Sequence, residues 1–310
     1  MKLGSRASPL AMAQSRQMAA LLAQLIGEMP SIQTFVTSGD RIADRRLQDQ
    51  GGKGLFTKEL DEALLDGRID AAIHSLKDLP TRMADGIALA AIPSREDPRD
   101  AFISPKARDL KSLKPGAVVG TASLRRQAQI LHLRPDLQVM TLRGSVETRL
   151  NRIDQGRMDA TFLALAGLMR LGLESHAASL VDVDEMPPAP GQGALAITCR
   201  ADDGTTCELL ARLSNPALET VIAAERGFLE ALDGSCRTPI GALARRKDNQ
   251  LHFLGEVLTP DGKKRWRREE WLRLGDDATA EAARLGYKLG HEIRAEAGED
   301  FIQSLEKRGW

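Results

Sequence analysis

Net charge is the first thing this sequence lacks: 43 basic residues stand against 43 acidic ones. A general polyanion binder carries a net basic footprint, so nucleic acid is not an expected partner and any anion binding must come from local clusters. No apolar run approaches the roughly 18 residues of a membrane span, and no signal-peptide-like segment precedes the first polar helix cues. The reading is a cytoplasmic protein with no membrane partner. Three cysteines, Cys199, Cys207 and Cys236, cannot all pair, and a cytoplasmic setting disfavours disulfides in any case. Five scattered histidines show no metal-ligand spacing, so no metal is expected. What is present, 42% hydrophobic and 28% charged residues over 310 positions, is a globular composition. At roughly 150 residues per domain it predicts two or three domains.

Three strand-to-helix turns share one grammar. Met1-Lys2-Leu3 leads into Gly4-Ser5-Arg6-Ala7-Ser8-Pro9 and a helical pattern from Leu10 to Leu25. Ser8 is a good N-cap and Pro9 a good first helical residue. The pattern returns at Val118-Val119-Gly120-Thr121-Ala122-Ser123 before a helix from Leu124, and at Val139-Met140-Thr141-Leu142-Arg143-Gly144-Ser145 before a helix from Val146 to Ile153. Such turns offer backbone N–H groups, a hydroxyl and the positive end of a helix dipole to an anion. Each has arginine within or beside it: Arg6, then Arg125 and Arg126, then Arg143 with Arg149. The guanidinium fork matches carboxylate and phosphate bidentately, so the three together predict a site for one of them.

A faint internal echo links Gly67-Arg68-Ile69-Asp70-Ala71-Ala72-Ile73 to Gly156-Arg157-Met158-Asp159-Ala160-Thr161-Phe162. It suggests two related α/β units facing each other across a cleft, the alternative being a chance match of small and polar positions. Pro93-Ser94-Arg95-Glu96-Asp97-Pro98-Arg99-Asp100 suits a hinge between them. Met186-Pro187-Pro188-Ala189-Pro190-Gly191-Gln192-Gly193 is the return crossing, after which the strand from Ala194 to Cys199 rejoins the first unit. Beyond Asn215-Pro216, a helix through Leu232, strands at Ile240 to Ala244, Leu251 to Leu258 and around Trp266, and a helix from Asp277 to about Ala295 predict a small α+β domain.

Two places carry chemistry-bearing residues. The apolar run Ile69 to Leu76 passes straight into Lys77-Asp78-Leu79-Pro80, and Pro80 cannot continue a hydrogen-bonding ladder. The strand therefore ends near Lys77 and Asp78, placing an acid and a base at a strand end, where open α/β sheets hold their ligands. Cys236 lies in Asp233-Gly234-Ser235-Cys236-Arg237-Thr238-Pro239-Ile240-Gly241, a turn-rich loop, whereas Cys199 reads as a buried small hydrophobe. From the residues alone Cys236 is a nucleophile, an attachment point or an inert surface thiol.

Taken together, these segments and the Gly51-Gly52-Lys53-Gly54-Leu55-Phe56-Thr57-Lys58-Glu59-Leu60 stretch resemble the porphobilinogen deaminases over nearly the whole chain. Ala13 stands where many members carry tryptophan, and Ser235 where many carry glycine; neither touches an expected catalytic side chain. The resemblance implies two periplasmic-binding-protein-like α/β domains joined by a hinge, plus a smaller C-terminal α+β domain. The boundaries expected are residues 1–93 with 194–213, 99–188, and 214–310. It implies a transferase that joins four porphobilinogen molecules head to tail, releasing ammonia and then hydroxymethylbilane, on a dipyrromethane primer held by a thioether to Cys236. Asp78 is the implied catalytic residue, stabilising the cationic azafulvene formed as ammonia leaves. Lys77, Ser123, Arg125 and Arg126 are implied to hold the primer with Asp78. Arg6, Ser8, Gln14, Arg143, Arg149, Arg170 and Gln192 are implied to face substrate or growing chain. Lys53 and Phe56 sit on an implied lid, the alternative being a plain surface loop. A monomer is expected. Two rival classes remain open at this point: a small-anion binding protein without catalysis, and a cysteine hydrolase, which would need a histidine within reach of a free Cys236.

Overall fold

The structure, a computed structural model, describes residues 1–41, 56–232, 238–298 and 301. The first sheet has the order β2 (Ser31–Phe35), β1 (Lys2–Arg6), β3 (Ala71–Ser75), β10 (Leu195–Arg200), β4 (Ile87–Ala91). In it β1 is parallel to β2 and β3, while β10 runs antiparallel to β3 and β4. The second sheet repeats the plan: β7 (Gln138–Met140), β6 (Val118–Gly120), β8 (Ala160–Ala164), β5 (Asp100–Ile103), β9 (Ser179–Leu180). Here β6 is parallel to β7 and β8, and β5 antiparallel to β8 and β9. Each unit thus receives one strand from across the molecule, β5 outgoing and β10 returning.

The sequence echo is a shared geometry. Gly67 and Gly156 both adopt left-handed backbone, φ 68° and 70°, closing the turn before β3 and β8. Asp70 then accepts the Lys2 amide at 2.7 Å and donates its own N–H to the Lys2 carbonyl at 2.8 Å. Asp159 does the same to Val118, at 2.7 and 2.8 Å. In each unit one aspartate therefore splices the third strand to the start of the first.

Helices α1 (Pro9–Ile26), α2 (Ser38–Arg41), α3 (Lys58–Leu65) and α7 (Gly204–Ala211) accompany the first sheet, and α4 (Leu124–Leu133), α5 (Val146–Asp154) and α6 (Leu165–Leu171) the second. Aliphatic side chains fill both cores: Leu3, Met18, Leu22, Ile73 and Ile197 pack in the first. In the second, Phe102 and Phe162 meet edge to face at 5.3 Å between ring centres. The C-terminal part is α8 (Pro216–Ala231), an antiparallel meander of β11 (Ile240–Lys247), β12 (Gln250–Leu258) and β13 (Arg265–Arg273), and α9 (Ala278–Ala297). β11 and β13 outrun the apolar patterning, because backbone pairing continues through Arg245, Arg246 and Lys247 after the buried residues end. Among the described residues, no helix is long and apolar enough to cross a membrane.

The two crossings run side by side. Arg95 and Ala194 form an antiparallel bridge, with Glu96 donating to the Gly193 carbonyl and Leu195 to that of Ser94. Gly193 has φ +87°, and a Cβ there would lie 2.4 Å from the Glu96 carbonyl oxygen, so the approach requires glycine. Glu225 of α8, fully buried, fastens this pair to the C-terminal part. Its carboxylate accepts from Arg95 Nη1 and Nη2 at 2.7 and 3.2 Å, from the Gly191 amide at 2.7 Å and from the Ala244 amide on β11 at 2.9 Å. A buried carboxylate is tolerable only when paired and fully hydrogen-bonded, and four donors meet that condition.

Candidate functional site

The site lies where the strand ends of both units meet the crossings. β3 stops at Ser75, and a one-turn 3₁₀ helix, Leu76–Asp78, carries the acid–base pair. That tight turn before Pro80 buries Leu76 and leaves the Asp78 side chain 30% exposed. Arg6, the last residue of β1, brings Nη1 to 4.0 Å from Asp78 Oδ2. The Arg6 guanidinium is itself held by Asp40, through Nη2 and through Nε at 3.2 Å, and stacks on the Phe56 ring with 4.3 Å to its centre. Burial pushes the Asp40 carboxyl up, but the Arg6 guanidinium first, and then the hydroxyl and amide that Thr37 donates to it, hold it below the usual range. His74 sits behind the site with Nε2 3.0 Å from Thr198 Oγ1. Burial first, and Arg6 second, push its pKa down to about 4, so the imidazole is neutral at neutral pH. Gln14 of α1 donates to Ser75 Oγ at 2.8 Å.

Lys77 faces the other way, toward the second unit. Its Nζ donates to Gln192 Oε1 at 3.4 Å, and burial is the main reason its pKa falls to about 8. Gln192 donates through Nε2 to the Pro98 carbonyl at 2.7 Å and to Asp100 Oδ1 at 2.9 Å. Asp100 opens β5, is 1% exposed, and receives Arg125 Nη2 at 2.8 Å and Arg126 Nε and Nη2 at 3.2 and 2.6 Å. Although burial opposes ionisation, the two guanidiniums hold its carboxyl far below the usual range. Arg125 also donates to Gln129 and to the Pro187 carbonyl, Arg126 to the Phe162 carbonyl.

All three serine turns form as the sequence suggests. Ser8, Ser123 and Ser145 cap α1, α4 and α5 by accepting from the amides of Ala11, Arg126 and Thr148. Capping uses an oxygen lone pair and leaves the hydroxyl protons of Ser8 and Ser123 for a ligand, while the Ser145 hydroxyl also lies 3.1 Å from Thr148 Oγ1. Arg149 bonds the Gly144 carbonyl at 2.9 Å, and burial together with Arg126 and Arg143 lowers its pKa to about 10. Arg170 donates to the Gly193 carbonyl at 2.7 Å, with its pKa lowered by burial. Lys77, Arg125 and Arg149 are thus each lowered, by burial first and by neighbouring arginines second: Arg126 acts on all three, Arg125 also on Lys77, and Arg143 on Arg149. The buried Nε of Arg125 has no hydrogen-bond partner among the described residues. Partly desolvated cations beside a buried donor without a partner suit a ligand carrying several carboxylates. Lys53 and Cys236 lie outside the described residues.

Four carboxylates that organise the site escaped the sequence reading: Asp40, Asp100, Glu225 and Glu256, the last accepting from Gln129 Nε2 at 2.8 Å. Asp100 alone left a signal, an acid directly ahead of the apolar Ala101-Phe102-Ile103, where its side chain must be buried with the strand.

With this geometry in place, comparison with known proteins is informative. Residues 1–208 match the family model for the porphobilinogen deaminase dipyromethane cofactor binding domain, and residues 219–295 that for the porphobilinogen deaminase C-terminal domain. The chain is 53% identical over 310 residues to a porphobilinogen deaminase of Caulobacter sp. (strain K31), covering 97% of both chains. It is 52% identical over 303 residues to one of Nitrobacter winogradskyi, covering 97% of this chain and 94% of that one. Among solved structures, a periplasmic substrate-binding protein of an ABC transporter from Coxiella burnetii aligns with a TM-score of 0.44 and 17% identity, over 73% of this chain and 96% of that one.

Proposed function

The chain belongs to the porphobilinogen deaminase family, and from that premise we propose how its own residues divide the work of polymerising porphobilinogen. The family is a transferase of tetrapyrrole biosynthesis with a dipyrromethane cofactor. The cofactor supplies the pyrrole end to which each new unit is joined. Asp78 carries the chemistry: its partly exposed carboxylate stands on the 3₁₀ turn after β3, with Arg6 as its cationic neighbour. There it stabilises positive charge developing on the pyrrole as ammonia leaves and takes up the proton released on joining. The supporting observation is that this carboxylate, its side chain 30% exposed, lies 4.0 Å from the Arg6 guanidinium and next in the chain to Lys77, whose ammonium bonds Gln192.

Lys77, Ser123, Arg125 and Arg126 hold the carboxylates of the cofactor, and Cys236 attaches it. Arg6, Ser8, Gln14, Arg143, Arg149, Arg170 and Gln192 receive incoming substrate and the growing chain. Phe56, stacked on Arg6, and Lys53 serve as lid residues over the bound substrate. We read three domains, residues 1–93 with 194–213, 99–188 and 214–310, supported by the membership of the three sheets. The protein acts as a cytoplasmic monomer, without nucleic acid.

Asp78→Asn keeps the turn and removes the charge, so turnover falls about 100- to 10,000-fold while the mass increment of two linked pyrroles on the Cys236 peptide persists. Near-normal turnover would remove Asp78 from the reaction. A Cys236→Ser variant that still carries the increment would place the attachment elsewhere.

A further inference from the structure

We infer that Asp100 is the positioning residue of the cleft: one buried carboxylate orients Arg125, Arg126 and Gln192, and through Gln192 it places Lys77 beside Asp78. The inference rests on the reading of those four side chains as holders of cofactor and substrate. It adds a residue that touches neither ligand.

The geometry is directional. Asp100 Oδ2 receives Arg125 Nη2 and Arg126 Nε, and Oδ1 receives Arg126 Nη2 and Gln192 Nε2. A carboxylate only accepts, so every group facing it must present N–H. For Gln192 this settles which way the amide points: its nitrogen faces two acceptors, Asp100 and the Pro98 carbonyl, and its oxygen is left for the Lys77 ammonium. Turning the amide over would set N–H against ammonium on one side and oxygen against carboxylate on the other. The two guanidiniums are steered in the same way, leaving Arg125 Nε as an unengaged donor.

Placement makes the arrangement a link between the units. Asp100 pairs with Ala164 in the second sheet, so its backbone is anchored there. Gln192 belongs to the return crossing and Lys77 to the turn after β3. The path Asp100, Gln192, Lys77 therefore spans the cleft from one unit to the other by hydrogen bonds. It is also an electrostatic path. The charged groups acting on Lys77 are Asp78 on its own turn, and Asp100, Arg125 and Arg126 from the second unit; the two aspartates favour the ammonium and the two arginines oppose it. Removing the Asp100 charge leaves Lys77 with one carboxylate against two guanidiniums.

The test uses purified enzyme as it is made in the cell, comparing Asp100→Asn, Asp100→Glu and Arg126→Met with the parent. The readouts are KM and kcat for porphobilinogen, the fraction of chains carrying the two-pyrrole increment by intact mass, the pH–rate profile and the thermal midpoint. Asp100→Asn is expected to raise KM at least tenfold, to lower the increment-bearing fraction, and, with Lys77 already lowered to about 8 mainly by burial, to move the alkaline limb expected from that ammonium to lower pH. Asp100→Glu keeps the charge and shifts its position, so KM rises while the limb stays; this variant carries the test should the asparagine protein fail to fold. If KM, increment and limb are unchanged in a folded Asp100 variant, or if activity falls only in step with thermal stability, Asp100 is scaffold and the inference is overturned. Arg126→Met separates the two levels: if it too leaves KM and increment intact, the reading of the arginine cluster falls, whereas impairment there with none in the Asp100 variants refutes the role of Asp100 alone.

Discussion

His74 shows how much one position can decide, since it sits only four residues before Asp78 yet lies buried behind the site. His74 is 5% exposed, and its pKa is pushed from 6.5 to about 4. Between those values the unfolded chain binds a proton that the folded chain refuses. Stability is therefore fully present above pH 6.5 and is lost as pH falls toward 4, by on the order of 3 kcal/mol. His74→Gln retains a polar group for Thr198 and cannot titrate. The expected outcome is a flatter fall of the thermal midpoint between pH 7 and 4 than in the parent, measured by calorimetry; parallel curves would assign the acid sensitivity to other groups. None of this is visible in the string of residues, where His74 reads as part of an apolar run. Burial of a histidine beside an arginine depends on Arg6 arriving from β1, and Thr198 arrives from β10.

Elements were legible where local chemistry dictates them. Ser8, Ser123 and Ser145 were readable as caps because an N-cap needs only a hydroxyl and the amide three residues on. The turn at Lys77-Asp78-x-Pro80 was readable because proline ends a ladder. The echo between residues 67–73 and 156–162 was readable because the aspartate splice needs the same residues in both units. The partners of Arg125 and Arg126 were not, since nothing local marks Asp100 or the Pro187 carbonyl as their acceptors. The crossings show the same limit: Pro190-Gly191-Gln192-Gly193 was readable as part of the return crossing, but its contact with Glu96 was not. Gly193→Ala forces a Cβ to 2.4 Å from the Glu96 carbonyl at a φ of +87°. The expected result is a stability loss of at least 1–3 kcal/mol from the backbone strain alone, with KM rising because Gln192 is displaced. A variant with parental KM and midpoint would show that the crossings separate freely.

On the scale of the whole molecule, Glu225 has the widest reach, because its carboxylate joins the outgoing crossing at Arg95, the return crossing at Gly191 and the C-terminal sheet at Ala244. The sequence could announce three parts and a hinge, yet it could not announce that a residue in the middle of α8 holds all of them. That position is set only when α8 packs beneath both crossings. The contact also explains why a two-unit cleft protein gains from a third part: the C-terminal sheet fixes where the crossings run, and the crossings carry Gln192 and lead into Asp100. Glu225→Gln preserves shape but offers one acceptor oxygen where four donors converge, and turns an amide N–H toward others. Breaking one side of a buried ion pair costs about 3–5 kcal/mol, and here the loss falls on the joints between the parts. The variant should unfold at correspondingly lower denaturant and show new proteolytic cuts within residues 93–99 and 187–193, with the interior of each sheet still protected. Unchanged denaturation with no new cuts would mean that the apolar packing of α8, through Leu218, Ile222 and Phe228, suffices to hold the crossings in register.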